Sequence, residues 1–174
     1  MGCPGHHHLR GQCAYSVFAI DMDGDGDTDV LSASLDDDTV AWYENLDENG
    51  GRFSTHVITT SADYACSVFA IDMDGDGDVD VLSASQNDDT VAWYENLDGS
   101  FGIFSTHVIT TTANGARSVF AIDMDGDGDV DVLSASQYDD TVAWYVHTNA
   151  QTYRLAHDKN TIPTPQVRVR ILYD

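Results

Sequence analysis

The chain has 174 residues, a formal charge of −23, and 30 acidic residues against seven Lys and Arg. So acidic a surface repels phosphate backbones and anionic lipid, which argues against nucleic acid or a membrane as a direct partner. No run approaches the roughly eighteen apolar residues of a spanning helix, and the length suits one domain with a real core or a few small repeated units.

Residues 1–15, MGCPGHHHLRGQCAY, carry no periodic apolar pattern and read as an irregular N-terminal segment. The apolar run of a secretory signal, about 7–15 residues, is absent from them. A myristoylation motif starting at Gly2 fails at His6, where Ser or Thr is needed. His6, His7 and His8 offer a transition-metal tract, although an unstructured terminus accounts for them better.

From Ser16 the chain repeats every 51 residues: Ser16, Ser67 and Ser118 each open SVFAIDMDGDGD. A period of this size marks propellers or solenoids. In the first unit, strand A is expected at about 16–20, an acidic loop follows, and strand B is expected at 29–34. A short turn over 35–38 leads to strand C at 39–45, and a polar loop over 46–52 leads to strand D at 53–59. Four short antiparallel strands per unit make a propeller-type blade. The fold class is therefore all-β, with blades at 16–66 and 67–117, a third blade core at 118–147 and a divergent tail at 148–174. The central strands are nearly continuous apolar runs, so both faces of a blade should be covered.

Between strands A and B lies Asp21-Met-Asp-Gly-Asp-Gly-Asp-Thr-Asp29, repeated at 72–80 and 123–131 with Val at the eighth place. Fifteen of the 30 acids fall in these three stretches. Five carboxylates at alternate positions repel one another, and a hard divalent cation answers that repulsion. Ca²⁺ takes six to eight oxygens at about 2.3–2.6 Å from carboxylates, carbonyls and water. Glycines at the fourth and sixth places let the loop curl round an ion. The first, third, fifth and ninth residues read as side-chain ligands and the seventh as a carbonyl ligand. These are Asp21, Asp23, Asp25, Asp27 and Asp29; Asp72, Asp74, Asp76, Asp78 and Asp80; and Asp123, Asp125, Asp127, Asp129 and Asp131. Three bound Ca²⁺ would leave a charge of about −17 on the chain. A solvated acidic run is the bland alternative, and the paired glycines and threefold spacing weigh against it. An EF-hand fails, because its twelfth place should be Glu and holds Ser32, Ser83 and Ser134. The flanking residues are also strand-like rather than helical.

The pairs Trp42-Tyr43, Trp93-Tyr94 and Trp144-Tyr145 fall on strand C and send one ring to each face. Sugar stacking is one use for them; packing between blades explains their uniform recurrence better. His56 and His107 occupy equivalent strand places and read as structural. Cys3, Cys13 and Cys66 share no repeated place, Cys66 corresponding to Tyr15 and Arg117. A Cys3–Cys13 bridge and unpaired thiols both stay open. After Tyr145 the pattern breaks, and four of the seven basic residues, Arg154, Lys159, Arg168 and Arg170, follow. Pro163 and Pro165 mark a loop, and 166–173 alternates again as a candidate closing strand.

SVFAIDMDGDGDVDVLSASQNDDTVAWYEN, within about residues 16–145, resembles a repeat of the FG-GAP/VCBS type, the calcium-bearing blade of integrin-α-like propellers. Thrombospondin type 3 and RTX repeats fit less well, the first lacking the intervening strands and the second needing a GGxG frame. The resemblance implies secreted or cell-surface adhesion and ligand-binding proteins, and it implies Asp21, Asp23, Asp25 and Asp29 and their repeats as ligands. It also implies rings that commonly close with seven blades. Three blades fall short of the usual range of about four to eight, so a partial or open propeller is expected, with further blades or head-to-tail self-association making up the rest.

The expected function is a non-catalytic module with one structural Ca²⁺ per repeat and a protein or carbohydrate ligand outside the cell. No catalytic residues and no organic cofactor are expected. The rim away from the acidic loops, with Leu35, Asp36, Tyr64, Cys66, Gln86, Asn87, Arg117, Gln137 and Tyr138, holds most differences between copies. Those differences mark a place to vary a partner, and drift in exposed turns gives the same pattern. The alternatives are a fragment of a larger propeller protein, or of a calcium-dependent polysaccharide lyase or hydrolase. The enzyme reading would need a unique acid or base, and repetition argues against one.

Overall fold

The computed structural model describes residues 13–47, 51–99, 102–148 and 152–155. Among them every regular element is a strand. The first sheet holds β1 (Ala14–Ile20), β2 (Asp29–Ser34), β3 (Val40–Asn45) and β4 (Phe53–Thr59). The second holds β5 (Ala65–Ile71), β6 (Asp80–Ser85), β7 (Thr90–Asn96) and β8 (Phe104–Thr110). The third holds β9 (Ala116–Ile122), β10 (Asp131–Ser136), β11 (Thr141–Thr148) and β12 (Thr152–Leu155). Each is an antiparallel meander with its strands in chain order, and none closes on itself. No described helix is long and apolar enough to cross a membrane.

These segments form strands because β-branched and aromatic residues alternate along them and pair across them. In the first sheet Phe18 lies opposite Leu31, Leu31 opposite Trp42, and Trp42 opposite His56. Phe69, Leu82, Trp93 and His107 make the same row in the second sheet. The intervening residues Val17, Ser32 and Ala41 face the other way, as a two-residue period requires.

Two apolar cores result. Leu31, Ala33, Val40 and Trp42 of the first sheet pack on Val68, Ala70, Val81, Ala92 and Tyr94 of the second. The second sheet's other face, with Leu82, Ala84, Val91 and Trp93, packs on Val119, Ala121, Val132, Ala143 and Tyr145 of the third. The middle sheet is thus covered on both sides and β6 is buried throughout, as its unbroken apolar run implies. Trp42 and Trp93 point to the following sheet, and Tyr94 and Tyr145 to the preceding one. The rings fill the gaps between sheets, the packing role expected of them.

Contacts between sheets concentrate on their first strands: β1 lies against β5 and β5 against β9, with β2 on β5 and β6 on β9. The sheets therefore fan out from their first strands. Polar ties repeat across each gap. Ser16 Oγ accepts the Val68 N–H and Ser67 Oγ the Val119 N–H, both at 3.2 Å. Asp38 Oδ1 accepts the Tyr64 N–H at 2.9 Å and Asp89 Oδ1 the Gly115 N–H at 2.8 Å.

The fourth strand of the third sheet is Thr152–Leu155, where Val146 pairs with Arg154. The closing strand expected at 166–173, the His6–His8 tract and Cys3 lie outside the described residues. Cys13 is disulfide-bonded, and Cys66 is a free, buried thiol.

Candidate metal centre

Each acidic stretch is the loop of an A–B hairpin. In the first, Ile20 pairs with Asp29 and closes the loop; Ile71 with Asp80 and Ile122 with Asp131 do the same in the others. The first aspartate of each loop shapes it from inside. Asp21 Oδ1 accepts the Gly24 N–H at 2.8 Å and its Oδ2 the Gly26 N–H at 3.0 Å. Asp72 and Asp123 seat their glycine pairs in the same way at 2.7 and 3.1 Å. Those glycines hold φ of 75° and 98° in the first loop. An added Cβ would meet nothing within 4 Å there. Backbone conformation, rather than space, is what requires glycine at these two places.

The third and fifth residues turn back on the chain. Asp23 Oδ1 accepts the Asp25 N–H at 3.1 Å, and Asp25 Oδ1 accepts the Asp27 N–H at 2.8 Å. Asp76 and Asp127 likewise receive the N–H of Asp78 and Asp129, at 2.9 and 3.0 Å.

The ninth aspartate is the buried anchor. Asp29 Oδ2 accepts the Met22 N–H at 2.9 Å, and its Oδ1 accepts the Asn45 N–H, at the end of β3, at 2.7 Å. Asp80 binds Met73 and Asn96 in the same way, at 2.9 and 2.8 Å, and Asp131 binds Met124 and His147, at 3.2 and 2.9 Å. Asn45 and Asn96 also donate their side-chain amides to the carbonyls of Thr28 and Val79 at 3.3 Å. Sequence reasoning overlooked these asparagines, although their recurrence after Trp-Tyr-Glu was a usable signal.

Carboxylate oxygens of Asp21, Asp23 and Asp29 lie within 4.8 Å of one another, as do those of Asp72, Asp74 and Asp80. In the third loop the group is Asp123, Asp125 and Asp127. Of the expected ligands, the first and third places therefore converge in every loop. The ninth joins them in two loops and the fifth in one. Two ligands on opposite sides of a Ca²⁺ ion stand about 4.6–5.2 Å apart, so each cluster is compact enough to share one ion. The donors are hard oxygens, and no Lys or Arg occurs in any of the nine-residue stretches. The residues present fit a hard divalent cation.

Electrostatics show the strain of such a cluster. Partial desolvation inside the loop pushes up the Asp23 carboxyl and the more exposed Asp74 carboxyl, against the pull of the Asp25 and Asp76 N–H groups, and neighbouring carboxylates push the same way. Burial drives Asp80 up to about 7 despite the N–H groups of Asn96 and Met73.

The family comparison matches the FG-GAP-like repeat over residues 21–83 and again over 72–134. The chain belongs to the FG-GAP-like repeat family. Each match starts on the first aspartate of a loop and runs past the next loop. No curated protein matches the chain.

The opposite rim carries the side chains that differ between the FG-GAP units, and the fold brings several of them together. Gln86 donates to the Tyr138 hydroxyl, and Asn87 donates to Asp63 at 3.0 Å. Arg117 donates from Nε to Gln137 at 2.7 Å, and from Nη1 reaches the Tyr15 hydroxyl at 3.5 Å and Cys66 Sγ at 3.8 Å. Burial pushes the Cys66 thiol up, and Arg117 partly offsets it. His56 and His107 lie at neither rim cluster nor loop. They stack on Trp42 and Trp93 at 4.5 Å and pair with Glu44 and Glu95 at 2.9 and 2.6 Å.

Proposed function

We propose that the chain is a non-catalytic, calcium-binding FG-GAP module that serves adhesion or ligand recognition outside the cell. The observation that carries this reading is the threefold convergence of hard oxygens in a loop whose shape is already fixed by its own backbone N–H groups. Asp21, Asp23 and Asp29, Asp72, Asp74 and Asp80, and Asp123, Asp125 and Asp127 would hold the ions, with loop carbonyls and water completing each shell. When bound, the ion supplies the positive charge that lets these carboxylates coexist.

The rest is done by the chain's own residues. The first aspartate folds the loop over its glycines. The ninth ties the loop to β3 through the N–H of Asn45, Asn96 or His147, so loop order passes directly into the sheet. Membership of the family supports a non-catalytic role, since FG-GAP repeats are generally non-catalytic. A protein or carbohydrate ligand would be read by the opposite rim, where the repeats differ; net negative charge disfavours nucleic acid.

Thermal melting in millimolar Ca²⁺ and in excess EGTA tests the metal reading. Calcium should raise the melting temperature reversibly, because a ligand of the folded state alone stabilises it by mass action. Identical melts in both buffers would contradict it.

A further inference from the structure

The two internal gaps are copies of one interface, and among the described residues each end of the stack presents one unmatched half of it. The trailing half is the face of Phe18, Ile20, Met22 and Val40, which the second sheet covers. Its second copy, Phe69, Ile71, Met73 and Val91, is covered by the third sheet. Its third copy is Phe120, Ile122, Met124 and Val142, all exposed. Met22 and Met73 are 2% and 1% exposed, and Met124 is 51% exposed. The leading half shows the reverse. Val68 and Val119 are 4% and 5% exposed inside the gaps, whereas Val17 on the first sheet is 69% exposed.

Polar and aromatic ties are left open in the same pattern. Phe18, Phe69 and Phe120 form a ladder with ring centroids 4.8 and 4.7 Å apart, and Phe120 ends it exposed. Ser16 and Ser67 accept the N–H of Val68 and Val119, but Ser118 lies at the open face. Asp38 and Asp89 hold φ of 57° and receive the N–H of Tyr64 and Gly115; Asp140 holds φ of 51° on the last sheet, with no following unit in the described chain.

We propose that a second copy of this chain fills both halves, its first sheet docking on the third sheet of the first copy. The new gap would repeat the internal ones: Phe120 against the partner's Phe18, Ser118 Oγ taking the partner's Val17 N–H, and Met124 covered. The two faces differ, so the contact is head-to-tail, and it closes or grows according to the rotation per unit. The fan of the sheets about their first strands favours closure, and two chains supply six sheets, within the roughly four to eight of a closed propeller. Contiguous exposed apolar faces mark association surfaces once they exceed a few hundred Å².

Sedimentation velocity of the full chain at micromolar concentration in millimolar Ca²⁺ tests the proposal. The expected result is a species of twice the 18.9 kDa chain mass, or a larger head-to-tail oligomer. Val17→Arg blocks only the leading face and Met124→Arg only the trailing face, both at exposed positions, and circular dichroism checks that each variant folds. Each variant alone should be monomeric, and an equimolar mixture should form a dimer that grows no further. A compact wild-type monomer overturns the proposal. If deletion of residues 156–174 then produces oligomers, that tail is the occupant; if it does not, neither a second copy nor that tail covers the faces. A mixture that stays monomeric overturns it as well.

Discussion

Asp74 and Asp80 sit in one loop and should fail in different ways. Asp74 is exposed, and its carboxylate receives a single N–H, that of Asp76, at 3.2 Å. Asp80 is buried and receives two, those of Met73 and Asn96. In chelator, Asp74→Ala removes a surface charge from among like charges, and such changes usually stay within about 0.5 kcal/mol. Asp80→Ala leaves two buried donors unpaired at about 1–3 kcal/mol each, so about 2–6 kcal/mol is expected even without metal. In calcium the order of effects changes. At a free concentration about a hundredfold above Kd, each site contributes about 2.7 kcal/mol, and Asp74→Ala should lose up to that much. For a chain of this size about 1 kcal/mol moves Tm by about 2–4 °C, which makes the calcium-specific drop about 5–11 °C. Calorimetric melts of both variants with EGTA and with about 10 mM Ca²⁺, suited to a Kd of about 10⁻⁴ M, provide the four numbers. Equal losses for Asp74→Ala in the two buffers would refute its assignment as a ligand.

Glycine replacement should separate conformation from space. Gly75 holds φ of 80° in open surroundings, so Gly75→Ala should cost about 1–2 kcal/mol by left-handed strain alone. Gly102 is also unobstructed but lacks a positive φ, so Gly102→Ala should be neutral or stabilising by about 0.4–1 kcal/mol; urea titrations showing equal costs would contradict this. Trp93 is fully buried between two sheets and Trp144 faces the open end. Trp93→Ala should cost about 3–5 kcal/mol and Trp144→Ala distinctly less in a dilute monomer, and equal costs would mean that the end face is covered. Buried Cys66, its thiol pushed up by burial, should alkylate slowly near neutral pH until urea exposes it; labelling at the rate of a small free thiol would show that the rim is open.

Repetition is what made the fold legible. The copies phased one another, so β2, β4 and the acidic loops fall where the sequence placed them, and β1 begins only two residues early, at Ala14. Where repetition stops, so does the signal. Residues 152–155, the fourth strand of the third sheet, read TYRL, with no parallel copy to mark them. Acid spacing singled out five aspartates in each loop and divided them into side-chain and carbonyl ligands, but it did not give the hydrogen bonds each one makes. Nothing in DMDGDGDVD says that the ninth residue spends both oxygens on N–H groups of Met73 and Asn96, because those partners are set by how β7 ends beside the loop. The second and third loops have identical sequences over nine residues, yet Asp80 joins one cluster and Asp131 does not join the other. The settings differ in two ways: the third sheet covers Met73 whereas Met124 is half exposed, and His147 stands where the second loop has Asn96. Local sequence encodes the loop, and residues outside it supply the partners of its ninth aspartate.

The central claim is one calcium ion per acidic loop, and counting ions tests it directly. Chelator-stripped full-length chain can be dialysed to equilibrium against radioactive calcium at concentrations spanning about 10⁻⁵–10⁻² M, around the range of extracellular calcium modules. Saturation at three ions per chain, falling to two for Asp74→Ala, is the expected result. Binding that never exceeds the counter-ion background, or a count that Asp74→Ala leaves unchanged, would contradict it.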